Sequence, residues 1–379
     1  MKKVFLFLAC ASLMAMGAVA QKNVVKEVAK LAGSNKIEDL TKALNIVQPA
    51  LTNPETMNNA ETWLLAGKAA FGIYDQLSVL KNAGQEVDND MLNSSLMNGF
   101  TFLEKALPLD SVKETDKNGA LKLDKNGMPK IKTKFSPEIV ELLTGHIDEV
   151  LNLGNAALGE SRWDDAANAY TFFTNLLDAP FTKAKGIALA DDAMSEVRFY
   201  QGYAQYQTQK FDEAYTNFTK AMALGYTENQ VGDFKTSSMA NIVQKFIDAK
   251  DYNSAYGFID NALVAEPNSA TLYDMKGFVA ELEKGIEEAL PFYKKATTLD
   301  ANYADAFFNT GRALYLQASK IIEDNPDKTT AQFIPMLQPI YEEALQYFTK
   351  AQALDPENTK IPGLIDDINY KFEQMGIKK

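Results

Sequence analysis

Residues 270–299 read ATLYDMKGFVAELEKGIEEALPFYKKATTL, and the spacing inside this stretch decides the fold. Gly277 is followed by Ala289, Tyr293 and Ala296, and the last three share one helix face because positions i, i+4 and i+7 line up along it. The same pattern stands upstream as Gly202 with Ala214, Phe218 and Ala221, and as Val243 with Ala255, Ile259 and Ala262. Val243 and Gly277 are 34 residues apart. Such a unit is expected to be two antiparallel helices, with a small residue on the first letting the second approach closely. Alanine is expected to fit against glycine and the aromatic to fill the gap to the next unit. A terminal proline then stops the second helix, since it lacks an amide hydrogen and clashes with the preceding turn. No single pair buries its apolar face alone, so the pairs are expected to stack.

With its 34-residue period and its small, Ala, aromatic, Ala and Pro landmarks in register, the chain resembles the tetratricopeptide-repeat (TPR) family. The resemblance implies an all-α, TPR-type solenoid of antiparallel helix pairs. A degenerate unit lies upstream, where Gly154 pairs with Ala166 and Tyr170, Phe173 replaces the expected Ala, and Pro180 falls two residues late. Pro267 and Pro356 supply terminating prolines. Two units run long. After Gly311, the landmarks Ala344, Phe348, Ala351 and Pro356 arrive 21 residues late, which places an insertion at about Gln317–Gln338 between the helices. Trp63 and Gly67 fit an opening helix whose closing partner carries Leu103 and Ala106 with 20 residues in excess, the insertion covering 74–98 and Gly99 taking the small position.

Between these lies Ser111–Pro137, rich in Lys, Asn and Gly, in which Asp-Lys-Asn-Gly occurs at 116–119 and again at 124–127. Asn-Gly favours tight hairpin turns, so Val112, Leu121, Leu123, Ile131 and Phe135 are expected in short strands of a small exposed hairpin or ordered loop. The expected organisation is 1–20 signal peptide, 21–59 N-terminal helices, 60–110 a degenerate TPR-like unit, 111–137 the loop or β-hairpin, 138–357 the TPR array and 358–379 a capping helix. Ile361, Leu364, Ile365, Ile368 and Phe372 form the stripe by which that last helix would cover the open end of the array.

Lys2 and Lys3, an apolar run from Val4 to Met16, and Ala18-Val19-Ala20 have the form of an export signal cleaved after Ala20. An uncleaved anchor and a lipid attachment at Cys10 are the alternatives. The run is shorter than the roughly 20 residues that span a bilayer, and no later stretch approaches that length. Export and a periplasmic or cell-envelope location are therefore expected, with no transmembrane helix in the mature chain. Cys10 is the chain's single cysteine, so cleavage would leave no thiol and cysteine chemistry is excluded. A formal charge of −12 argues against nucleic acid and anionic lipid as partners, and no lysine or arginine block is expected to override it locally.

Catalytic patterns are missing. His146 is the only histidine, which excludes sites needing two imidazoles and leaves it an ordinary residue of a helix expected over 141–150. There is no Gly-x-Ser-x-Gly elbow and no phosphate-cradling Gly-Lys-Ser/Thr. A calcium loop begun at Glu114 has Lys125 where a bidentate glutamate is required. The acidic pairs at 164–165, 191–192, 287–288 and 342–343 are each expected near a helix N-terminus, where the backbone dipole favours negative charge. The expectation is a protein without enzymatic activity, cofactor or metal.

The TPR resemblance further implies that positions 2, 5, 9 and 12 of each unit line a concave groove. On that basis Phe199, Tyr203 and Tyr206 from one unit, Asp274 and Phe278 from the next but one, and Phe308, Arg312 and Tyr315 from the last are the candidate binding residues. An aromatic groove with acidic groups and one arginine suits a peptide or protein segment with apolar side chains and some basic character. A carbohydrate or peptidoglycan ligand stacked on the rings is the alternative. The Lys and Asn set that clamps a C-terminal carboxylate in other TPR proteins is not matched.

Overall fold

Helices make up most of the computed structural model, which describes residues 18–377. Most of the expected export signal, Cys10 included, lies outside the described residues. The first compact unit runs to Ala204. It contains α1 (Ala18–Leu31), α2 (Ile37–Thr52), α3 (Ala60–Asn82), α4 (Asn89–Leu109), α5 (Ser136–Gly145), α6 (Ile147–Gly159), α7 (Trp163–Asp178), α8 (Pro180–Ala184) and most of α9 (Asp191–Gln207). The second begins at Gln205 and holds α10 (Phe211–Ala223), α11 (Val231–Asp248), α12 (Tyr252–Ala265), α13 (Ala270–Lys284), α14 (Ile286–Leu299), α15 (Ala304–Glu323), α16 (Thr330–Leu354) and α17 (Lys360–Gln374). The division falls within the stretch 138–357 that the repeat pattern treats as one array.

Within each unit, consecutive helices pack on one another, and the packing explains why small residues are needed. A Cβ built on Gly277 of α13 would lie 2.7 Å from the ring of Tyr293 on α14, closer than real Cβ contacts come. Gly311 meets Phe348 at 2.9 Å, and Gly154 meets Tyr170 at 3.1 Å. The side chain nearest each glycine is thus the ring, where alanine was expected. The ring lies across the bare α-carbon of its own pair, and Tyr293 also reaches the following pair, sharing an apolar cluster with Ala313 of α15. Alanines 166, 289 and 344, each four residues before one of these rings, are fully buried. The turn between α13 and α14 is the single residue Gly285 at φ 98°, a conformation that side-chain-bearing residues avoid.

The two long units correct another expectation. Most of their extra residues do not sit between the helices; they lengthen them. Gly277 and Tyr293 are 16 positions apart, whereas Gly67 contacts Leu103 and Gly311 contacts Phe348 at separations of 36 and 37. The ring of Phe71 on α3 likewise occupies the place of a Cβ on Gly99 of α4, and the two glycine contacts share one antiparallel register. About 15 residues of each excess are therefore helix, roughly evenly divided between α3 and α4 and falling mostly on α16 in the other unit, while about five lengthen the connecting turn. Tyr74, Leu77, Leu92 and Leu96 pack the extension of α3 and α4, and Ala318, Leu337 and Tyr341 that of α15 and α16.

The segment after α4 is a three-armed β element. β1 (Val112–Lys113) pairs antiparallel with β2 (Ile131–Lys132), and single bridges join Thr115 to Leu121 and Leu123 to Pro129. At the junction the backbone bonds close a triangle: Glu114 N–H donates to Lys130, Lys122 to Glu114, and Lys130 to Lys122. Two arms end in Asp-Lys-Asn-Gly turns. In each, the aspartate (Asp116 or Asp124) accepts from the backbone N–H groups two and four residues on, and Gly119 or Gly127 takes a positive φ. Asn118 and Asn126 do not adopt positive φ, so these are three-residue loops closed by a left-handed glycine, in place of the expected two-residue Asn-Gly turns. Phe135, expected in a strand, instead stands at the N-cap of α5 and packs on the first unit's core.

Both ends of the insertion meet at Asp110, which is 5% exposed. Its carboxylate accepts from the backbone N–H groups of Lys134, Phe135 and Ser136 and from the Ser136 hydroxyl, at 2.6–3.1 Å. Burial alone would raise its pKa, but these donors outweigh burial and hold it below the ordinary value. No helix among the described residues is long and apolar enough to cross a membrane.

Candidate functional site

In the second unit α13 packs on α14, α15 packs on α16, and α13 also touches α15. The first helices of two consecutive pairs therefore lie side by side. Ser269 starts α13 by accepting the Leu272 N–H, and this sets which residues face α15. Glu281 and Arg312 bridge the two helices through paired bonds, Nη1 to Oε1 at 2.7 Å and Nη2 to Oε2 at 2.5 Å. Tyr293 of α14, having crossed Gly277, donates its hydroxyl to Glu281 at 2.8 Å. Three helices are thus tied through one carboxylate. Burial raises the Glu281 carboxyl, but the hydrogen bonds from Arg312 and Tyr293 outweigh it and hold it below its ordinary value.

Two turns earlier, Asp274 accepts from Asn309 Nδ2 at 3.0 and 3.2 Å and from the Tyr303 hydroxyl at 3.4 Å. It is only 8% exposed, and burial pushes its carboxyl up to about 6, with the Asn309 bond pulling the other way. Phe278, Leu282 and Leu316 are 41%, 45% and 38% exposed. Phe278 and Leu282 are one turn apart on α13, and Leu316 lies one turn past Arg312 on α15, so all three flank the ion pair. The result is an apolar strip on either side of a fixed, neutralised charge pair.

The structure brings Asp274, Phe278 and Arg312 into one neighbourhood. Phe308 and Tyr315 share α15 with Arg312, and both are committed to packing: Phe308 lies against Phe348 at 6.1 Å, and Tyr315 donates to Asp367 of α17 at 2.6 Å. Burial followed by that bond pushes the Tyr315 phenol up to about 12. Phe199 and Tyr203 belong to the first unit. Phe199 is 3% exposed, so its ring is inside the core, and Tyr203 is half-buried with its edge contacting Trp163 at 5.7 Å. Tyr206 belongs to the second unit, where its hydroxyl bonds Ser237 at 2.8 Å and its ring meets Phe211 and Phe234. Sequence reasoning missed Leu282 and Leu316, which stand one position beyond the family's groove positions, and the polar supports Tyr303 and Asn309. A signal for the first two existed: apolar residues at equivalent places 34 apart.

His146 was expected within one helix; it forms the junction between α5 and α6. Its ring stacks on Phe71 at 3.8 Å, Nδ1 faces the Leu142 carbonyl at 2.8 Å, and Nε2 faces Asp75 at 3.2 Å. Two acceptors call for two donors, which only the imidazolium supplies. Burial lowers its pKa, yet the bonds to Asp75 and Leu142 raise it overall. Of the acidic pairs, those at 164–165, 191–192 and 287–288 occupy first turns, while Glu342 and Glu343 sit mid-helix in α16, Glu343 pairing with Lys294 at 2.6 Å. No group of three His, Cys, Asp or Glu among the described residues is placed to hold a metal ion.

No protein-family model matches the chain. Over 180 residues it is 24% identical to the DnaJ homolog subfamily C member 7 homolog of Dictyostelium discoideum, covering 45% of this chain and 30% of that protein, so the match spans under a third of that relative. Among solved structures, a TPR repeats protein from Bacteroides fragilis aligns at 18% identity and a TM-score of 0.36, over 59% of this chain and 98% of its own. MamA from Desulfovibrio magneticus aligns at 16% and 0.31, over 56% and 97%. The ground for the fold is internal, in the 34-residue spacing and the rings laid across bare α-carbons. The chain has an all-α fold of TPR-type antiparallel helix pairs, interrupted among the described residues by one small β insertion.

Proposed function

We propose that this chain is a non-catalytic, exported binding protein that holds a peptide or protein segment against the α13–α15 face. The carrying observation is the strip of Phe278, Leu282 and Leu316, which stays exposed around an ion pair that already satisfies itself. Exposed apolar groups on a rigid, preorganised surface favour a ligand with apolar side chains, because little ordering cost is left to offset. Nearby Asp305 is exposed and Asp274 is acidic in character, which favours a basic residue in that ligand. The exported location rests on residues 1–20 and their signal-like pattern; a role in cell-envelope assembly follows from it.

The carbohydrate or peptidoglycan alternative draws on ring stacking. Tyr206 and Tyr315 have partners for their hydroxyls, and Phe199 is internal, which leaves Phe278 as the exposed ring of the set. Peptide is therefore the reading advanced. Crosslinking in the native cell with a photoreactive residue at Leu282, followed by identification of the captured species, tests it. Capture of protein at Leu282, lost when Phe278 is changed to Ser, is the expected result. Retention of cell-wall fragments with no protein captured would replace this reading with the alternative.

A further inference from the structure

The β insertion belongs to the first unit, and its composition is opposite to that of the chain. Ser111–Pro137 carries seven lysines against three carboxylates in a protein of formal charge −12. This overturns the expectation that no lysine block overrides the net charge. In the paired arms, residues directly opposite each other project to the same side. The pairs Lys113–Ile131, Thr115–Leu121 and Leu123–Pro129 therefore share one side, and Glu114, Lys122, Lys130, Val112 and Lys132 share the other. Leu121, Leu123 and Ile131 are 48%, 55% and 50% exposed, so one side of the platform is an uncovered apolar surface. Lys117 and Lys125 stand at the two turn tips.

We propose that this platform docks on an anionic lipid bilayer surface, apolar side toward the headgroups. Charge selects an anionic partner, and composition selects lipid over protein. Protein interfaces are depleted in lysine and rely on Tyr, Trp and Arg, none of which occurs between Ser111 and Pro137. Leucine, isoleucine and lysine together are what an interfacial segment uses: aliphatic groups enter the headgroup boundary, and Lys113 on the apolar side with Lys117 and Lys125 at the tips can extend their stems to the phosphates, while the lysines of the far side add to the local positive field. Two platforms facing each other would juxtapose like charge. The acidic remainder of the chain is repelled by the same surface that attracts the platform, which orients the protein with the insertion toward the lipid.

Co-sedimentation of the purified chain with vesicles of phosphatidylcholine alone, and of phosphatidylcholine mixed with phosphatidylglycerol, tests this. Binding is expected only to the mixed vesicles and is expected to weaken as salt is raised. Lys117→Gln and Lys125→Gln should each weaken it about fivefold. Leu121→Ser combined with Ile131→Ser should weaken it at unchanged charge. These four positions lie outside every helix, and an unchanged helical circular dichroism spectrum confirms that the body is intact. Equal binding to both vesicle types, no binding to either, or stronger retention on polyglutamate than on the mixed vesicles would each overturn the proposal, the last in favour of an acidic protein.

Discussion

Tyr293 can place its hydroxyl 2.8 Å from Glu281 because its ring passes over Gly277, where a Cβ would stand 2.7 Å from the ring. The residue that lets two helices approach is thus the residue that positions the charge pair on the surface above them. Gly277→Ala should destabilise the second unit by about 1–3 kcal/mol, because the ring is held between two helices and has little room to shift. Urea unfolding measures this. Gly363→Ala, at a helical glycine with nothing within 4 Å of a built Cβ, is the matched control and should be neutral or slightly stabilising. Equal effects at the two sites would show that the ring contact is unimportant.

Glu281 and Arg312 are both largely withdrawn from water, so removing one leaves a charge without its partner. Arg312→Ala alone should cost more stability than Arg312→Leu together with Glu281→Gln, by about 1–3 kcal/mol. A double-mutant cycle read by chemical denaturation checks it, and additive effects would count against the coupling.

The Asp274 carboxyl has a folded-state pKa of about 6 against an ordinary value of 3.8. Folded protein holds the proton more tightly than unfolded chain between those values, so this group's contribution falls as pH rises through that window. The loss is complete above about pH 6 and amounts to about 3 kcal/mol at most. Asp274→Asn keeps an oxygen for Asn309 and removes the titration. Its melting temperature relative to wild type should therefore rise between pH 4 and pH 8, and a constant difference would refute the assignment.

Asp110 has the opposite sign. Its pKa is depressed, so its stabilisation is present above the ordinary carboxylate range and is lost as pH falls below it. Asp110→Ala should leave the helical content unchanged while the Lys134, Phe135 and Ser136 amides lose protection in hydrogen exchange. Their protection in wild type should also fall on acidification. Amides that stay protected in the variant would mean that the carboxylate does not hold the insertion.

The helix pairs were legible in the sequence because their spacing is set by backbone geometry. Gly277, Gly311 and Gly154 mark close approaches whose cause is local. What sat on each glycine was not legible, since Ala289 and Tyr293 share one helical stripe and only the coordinates show the ring nearest. The 20- and 21-residue excesses could be counted, but an excess has no direction of its own. Leu77, Leu92 and Leu96 continue helical faces, and that is the physical sign that the arms had lengthened. The candidate site was legible in part. Position within a unit located Asp274, Phe278 and Arg312, while the burial of Phe199 and the exposure of Leu282 depend on neighbours that spacing alone does not describe. The lysines of the insertion are plain in the sequence, but their local effect goes unweighed when net charge is averaged over a chain whose remainder is acidic.

The clasp at Asp110 means that the segment between α4 and α5 behaves as a closed stitch. Its two ends stand within reach of one side chain, so the arms beyond can be shortened, extended or exchanged without moving where α4 stops or α5 starts. A cassette of foreign sequence grafted between Val112 and Lys132 would inherit the same anchorage, and the helices on either side would be indifferent to what it displays.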